Sequence, residues 1–138
     1  VMTNTFGASK LTLGEFGIAA RTFEMNQAAA RVARRAADEF SRPAQPRFVV
    51  GSMGPGTKLI TLGQTHWDEM LDSYAEQARG LIDGGVDALL VETCQDILES
   101  KCAIVACMDA MREKGRAVPI DVNESASAAT SDRVVGQA

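Results

Sequence analysis

The chain is poor in the side chains that most often carry chemistry. It has one histidine, one tryptophan, one tyrosine and three cysteines. Zinc needs three or four converging nitrogen or sulfur ligands. Cys94, Cys102 and Cys107 contain no C-x-x-C pair, and the last two lie five apart in a helical stretch, on different faces. Their spacing makes no metal site, and Cys102 and Cys107 read as small buried hydrophobes. The only histidine, His66, reads as a loop or helix-start residue. An odd cysteine count without a secretory leader favours reduced thiols in the cytoplasm. No apolar run reaches the roughly eighteen residues of a membrane span. Excess positive charge is lacking too. The formal net charge of -4 leaves no electrostatic case for nucleic acid or an anionic membrane. A start on Val1 leads us to expect that the chain begins inside a larger protein.

What is present suits one globular domain. The chain has 138 residues, 46% hydrophobic and 23% charged, ordinary values for such a unit. Its most informative stretch runs from Asp87 to Ile97. Ala88 to Val91 is an unbroken apolar run, which predicts a parallel strand buried on both faces. Polarity then switches at once to Glu92-Thr93-Cys94-Gln95-Asp96. Asp96 predicts a helix cap, with Glu99 reaching back to it.

The same unit repeats along the chain. Met2 to Phe6 reads as the end of a strand, and Lys10 to Arg21 as loop with a helical turn. Arg21 to Phe40 predicts a helix whose apolar face is Met25, Ala29, Val32, Ala36 and Phe40, widened by Ala33 and Ala37. Pro43 and Pro46 stop it. Arg47 to Gly56 is a strand with a glycine-rich turn. Thr65 with Asp68 resembles a capping box before a helix carrying Trp67, Met70, Leu71, Tyr74, Ala78, Leu81 and Ile82. Gly84-Gly85 ends that helix. The next helix carries Leu98, Cys102 and Val105, with Ile97, Ile104, Met108 and Met111 alongside, and stops at Gly115. Ala117 to Val122 begins a strand. Residues 123–138 are small and polar and read as a diverged or disordered tail, leaving 1–122 as the domain. Alternating strands and helices with short connections predict an α/β fold with a parallel sheet. It is either doubly wound or a section of a (β/α)₈ barrel.

Chemistry in such folds sits at the carboxyl ends of the strands. Glu92 is therefore the first candidate. A carboxylate there can hold an ammonium group by a charge-assisted hydrogen bond, or act as a base if burial raises its pKa. The rival reading is a carboxylate that only bonds nearby amides. Asn4 occupies the matching edge of the first strand; its rival role is a turn residue bonding its own backbone. Gly51-Ser52-Met53-Gly54-Pro55-Gly56 lacks the phosphate-loop pattern. Its glycines serve either a sharp turn or close approach to a ligand.

Three motifs in register carry a resemblance. Thr3-Asn4-Thr5-Phe6-Gly7-Ala8, Gly51-Ser52-Met53-Gly54-Pro55 and Val91-Glu92-Thr93-Cys94-Gln95-Asp96 resemble the homocysteine-binding domain of cobalamin-dependent methionine synthases. More widely, they resemble the homocysteine S-methyltransferase family. The resemblance spans Val1 to Val122 and implies a partial (β/α)₈ barrel, about strands 2 to 5. It implies that Glu92 holds the homocysteine amino group, with Asn4, Thr93 and Asp96 lining or supporting the pocket. It also implies zinc to activate the thiol, methylcobalamin as donor, and as partners the remaining barrel strands and the cobalamin and folate domains. The family's zinc cysteines, an Asn-Cys motif and a Cys-Cys pair, are not in this sequence, nor is an Asp-Gly-Ala-Met-Gly type first strand. The chain alone is therefore expected to be inactive. Two alternatives stand beside this reading: a half-barrel that works only as an assembly partner, and a different barrel enzyme acting through Glu92.

Overall fold

Three apolar stretches become three parallel strands. In the computed structural model, which describes residues 1–124, β1 spans Val50–Met53, β2 Ala88–Cys94 and β3 Ile120–Glu124. The sheet order is β1-β2-β3, with both pairings parallel. Strands adjacent in sequence are adjacent in the sheet. That is the winding of a barrel sector, whereas a doubly wound sheet reverses its order. The strand end expected at Met2 to Phe6 is reduced to a single parallel bridge between Met2 and Val50. Side chains take over from the backbone ladder there. Ser52 N donates to Thr3 Oγ1 at 3.0 Å, and Thr5 Oγ1 donates to the Ser52 carbonyl at 2.7 Å. Apart from its first two residues, the expected tail lies outside the described residues.

Among the described residues four helices flank the strands: α1 Lys10–Gly14, α2 Thr22–Phe40, α3 Trp67–Gly84 and α4 Ile97–Lys114. A 3-10 turn, Ala19–Arg21, leads into α2. The stops at Gly85 and Gly115 are as expected: both residues adopt left-handed conformations, with φ of 94° and 60°, which glycine adopts without strain. The expected Thr65–Asp68 capping box does not form. His66 occupies the cap position without a side-chain bond, and the Thr65 hydroxyl donates to Glu69 instead.

The core lies on one side of the sheet. Gly51 of β1 sits beneath Leu81 of α3, beside Val86 and Leu89. Leu89 and Val91 are fully buried, while Ala88 and Leu90 on the opposite face are half-buried. The strand expected to be buried on both faces is thus covered on one, because the described helices pack on one side only.

Two apolar stripes are turned from expectation, and only their small members, Ala33 and Ala37 of α2 and Cys102 of α4, are buried as expected. In α2 the buried residues are Thr22, Asn26, Ala30, Ala33 and Ala37, while Val32 and Phe40 are 57% and 63% exposed. The cause is close packing of α2 against α3. A Cβ at Gly84 would stand 2.4 Å from Ala30 Cβ, and one at Gly80 only 2.6 Å from the Phe23 carbonyl oxygen. Only small residues fit such a contact, so the alanine side faces inward. In α4 the buried apolar residues are likewise small, Cys102, Ala103, Ala106, Cys107 and Ala110, while Ile97, Val105 and Met108 face out.

Gly84→Ala tests the close contact. Alanine gains at most about 1 kcal/mol of helix propensity, and less at a helix end. Overpacking costs about 1–3 kcal/mol, so net destabilisation is expected, read as a lower urea midpoint with unchanged slope.

Candidate functional site

The pairing of β1 with β2 sets the site. Ser52 lies opposite Leu90, so Ser52 and Glu92 share the sheet face turned away from the helices. Ser52 Oγ donates to Glu92 Oε1 at 2.5 Å. Ser52 is itself 2% exposed and tied on both sides of its backbone, through the Thr3 and Thr5 hydroxyls already described. Those two hydroxyls lie 2.6 Å apart. The Thr5 carbonyl accepts from Gln77 Nε2, and Asn26 Nδ2 donates to the Ala8 carbonyl. Buried amides on α3 and α2 thus hold the segment that holds Ser52. Glu92 is half-buried, and its second oxygen makes no hydrogen bond among the described residues.

The next residue is strained. Thr93 has φ of 65°, a left-handed conformation that a β-branched residue rarely adopts. The register shifts there: Glu92 pairs with Asn123, but Cys94 with Glu124. A strand-end irregularity of this kind re-aims side chains, and it leaves Thr93 exposed beside Glu92. Asn4 is exposed, and its amide makes no hydrogen bond among the described residues. The turn-forming bond weighed for it does not form. Phe6 is 43% exposed and lays its ring over Gly54, where a Cβ would stand 2.6 Å from the ring carbons.

Asp96 is placed differently from these. It is buried and caps α4 as expected, accepting from Leu98 N at 2.8 Å. Its other oxygen accepts from the Thr61 amide and hydroxyl at 3.1 and 2.9 Å. Burial alone would push its pKa up, but these donors outweigh it and hold the carboxyl below its usual range. Asp96 is built into the rim's support.

Glu99 does not reach back to the cap. It is fully buried, and its Oε1 accepts from Gly56 N at 2.6 Å and Tyr74 OH at 2.8 Å. Tyr74 OH is also 3.1 Å from the Gly54 carbonyl oxygen. Together they underpin the loop after β1. Glu99 Oε2 is buried without a partner. Burial drives the Glu99 pKa up and the Asp96 charge adds to it, against the Gly56 amide and Tyr74 hydroxyl.

The cysteines do not converge. Cys102 Sγ lies 3.6 Å from the Trp67 carbonyl oxygen, and Cys107 Sγ 3.7 Å from Met53 Sδ in the core. Burial pushes both thiols up to about 12. Cys94 is buried, and its Sγ is 3.9 Å from the Glu92 carbonyl oxygen. Among the described residues no group of three or more His, Cys, Asp or Glu could hold a metal ion. The residues present therefore do not fit the implied zinc. No described helix is long and apolar enough to cross a membrane. An open cleft of about 540 Å³ beside α1, bordered by Lys10, Glu15, Lys58 and Asp72, contains none of the rim residues.

The homocysteine S-methyltransferase family model matches residues 1–137. The chain belongs to that family. Methionine synthase of Mycobacterium tuberculosis (strain ATCC 25618 / H37Rv) is 49% identical over 120 residues, 87% of this chain and 10% of that protein. Methionine synthase of Mycobacterium leprae (strain TN) is 48% identical over 123 residues, 89% of this chain and 10% of that protein. The chain thus spans about a tenth of the length of these relatives. The family is one of methyltransferases.

Sequence reasoning missed Ser52 as the partner of Glu92, and Glu99 with Tyr74 as the support of the loop. Ser52 lay in a stretch read for its glycines, and only strand register shows what it faces. Glu99 fitted a capping box so well that its burial was hidden.

Because the folded-state pKa of Glu99 lies above its ordinary 4.5, its protonated form favours folding. That stability is fully present below about pH 4.5 and lost as pH rises through the folded pKa. Glu99→Gln keeps the acceptor oxygen and cannot ionise. Its melting temperature should therefore fall less than that of the wild type as pH is raised from 4.5 to about 8; equal slopes would refute this.

Proposed function

We propose that the strand-end rim binds homocysteine and serves methyl transfer to its sulfur, the reaction that forms methionine. Glu92 accepts the substrate ammonium group. Asn4 and Thr93 border the same edge, and Asp96 supports it through the α4 cap and the Thr61 loop. One observation carries this reading. At the carboxyl end of a parallel strand, one Glu92 oxygen is fixed by Ser52 while the other is open among the described residues. A carboxylate so held is prepared for a charge-assisted bond to an ammonium group. Membership of the family and the likeness to two mycobacterial methionine synthases support homocysteine as the amino acid. Zinc, where bound, lowers a thiol's pKa toward the nucleophilic thiolate. The described cysteines do not fit it, so we assign this chain the holding of the amino acid and place sulfur activation and methylcobalamin elsewhere in the assembled protein, in the cytoplasm.

Glu92→Gln should weaken homocysteine binding about tenfold or more, the loss expected for one hydrogen bond to a charged group. Binding of 4-sulfanylbutanoate, which has no amino group, should be unchanged. Calorimetric titration of both ligands checks this, and equal losses for the two would remove Glu92 from the ammonium site.

A second reading concerns assembly. β3 has β2 as its one strand neighbour among the described residues, and Ile97, Val105 and Met108 expose an apolar stripe on α4. Open strand edges and exposed apolar faces promote association. We propose that further β/α units of the barrel cover this side. The 138-residue chain alone should then sediment as an oligomer. A monomer with a sharp melting transition would argue against it.

A further inference from the structure

We propose that Ser52 is a positioning residue for the substrate amine, acting through Glu92. This deepens the reading of Glu92 as the ammonium acceptor and rests on it. A glutamate at a strand end has three rotatable side-chain bonds, and an unanchored carboxylate samples many orientations. Ser52 removes that freedom. Its hydroxyl has one proton, given to Glu92 Oε1 at 2.5 Å. Its backbone cannot shift to follow another acceptor, because the amide is bonded to Thr3 Oγ1 and the carbonyl to Thr5 Oγ1. Ser52 is 2% exposed, so water competes little for that proton. The outcome is a carboxylate with one oxygen anchored by Ser52 and the other without a hydrogen bond among the described residues. An ammonium ion then meets a carboxylate already oriented, and the entropy of orienting it is met before binding.

The prediction is separable from a general packing role. In the ligand-free 138-residue chain carrying carboxyl-¹³C glutamate, the Glu92 resonance, identified by its loss in Glu92→Gln, should move in Ser52→Ala. Ser52→Thr, which restores the hydroxyl, should return it toward the wild-type position. In homocysteine titrations, Ser52→Ala should raise Kd about three- to tenfold, a loss of up to about 1.4 kcal/mol. In a Glu92→Gln background the same change should alter Kd less than about twofold, since the coupling partner is gone. An unmoved Glu92 resonance in Ser52→Ala overturns the proposal, as does an equal loss in both backgrounds. If the wild-type chain binds no homocysteine, the functional reading of Glu92 falls, while the ligand-free resonance still decides whether Ser52 fixes its carboxylate.

Discussion

The register between β1 and β2 is the constraint on which the rest of the molecule depends. Val50 faces Ala88 and Ser52 faces Leu90, which brings the Ser52 hydroxyl to the Glu92 carboxylate. A slip of one residue would turn Ser52 toward the helices and break that meeting. The register is secured at two places. At the lower end, Asp87 Oδ2 accepts from Val49 N at 2.7 Å and from Arg34 at 2.5 Å. In the middle, Gly51 packs so closely against Leu81, Leu89 and Val86 that a Cβ there would stand only 3.1 to 3.3 Å from their side chains. A larger residue there would require those three side chains to move aside.

Polar groups do at the rim what apolar bulk does below it. The segment before α1 is hung from buried side chains: Thr3 and Thr5 on Ser52, Gln77 on the Thr5 carbonyl, Asn26 on the Ala8 carbonyl. Buried donors of this kind fix direction as well as distance, because a hydrogen bond weakens steeply when bent. Apolar packing has no such angular preference. The loop after β1 is held likewise by Glu99 and Tyr74. The rim is therefore oriented by groups lying one layer beneath it, on helices whose own positions are set by close alanine and glycine contacts.

Much of this was legible in the residues. The parallel strands followed from unbroken apolar runs, and the helix ends from Gly85, Gly115 and Asp96. The place of Glu92 near the end of β2 followed from the abrupt change of polarity after Val91. The helical faces of α2 and α4 were legible only in their small members, Ala33, Ala37 and Cys102. Periodicity favours bulky residues as the inward stripe, yet here the distance between helices selects alanine, and that distance is a tertiary quantity. The role of Ser52 was hidden for a related reason. Its partner is forty residues away, and no local pattern reports strand register. Glu99 shows the converse, a residue whose local pattern was satisfied by a role it does not play.

The stacking of Phe6 on Gly54 couples two distant codons. A side chain at position 54 requires the Phe6 ring to shrink or swing aside, and a smaller residue at 6 leaves a gap beside Gly54. The two positions are therefore coupled, and what one can hold depends on what stands at the other.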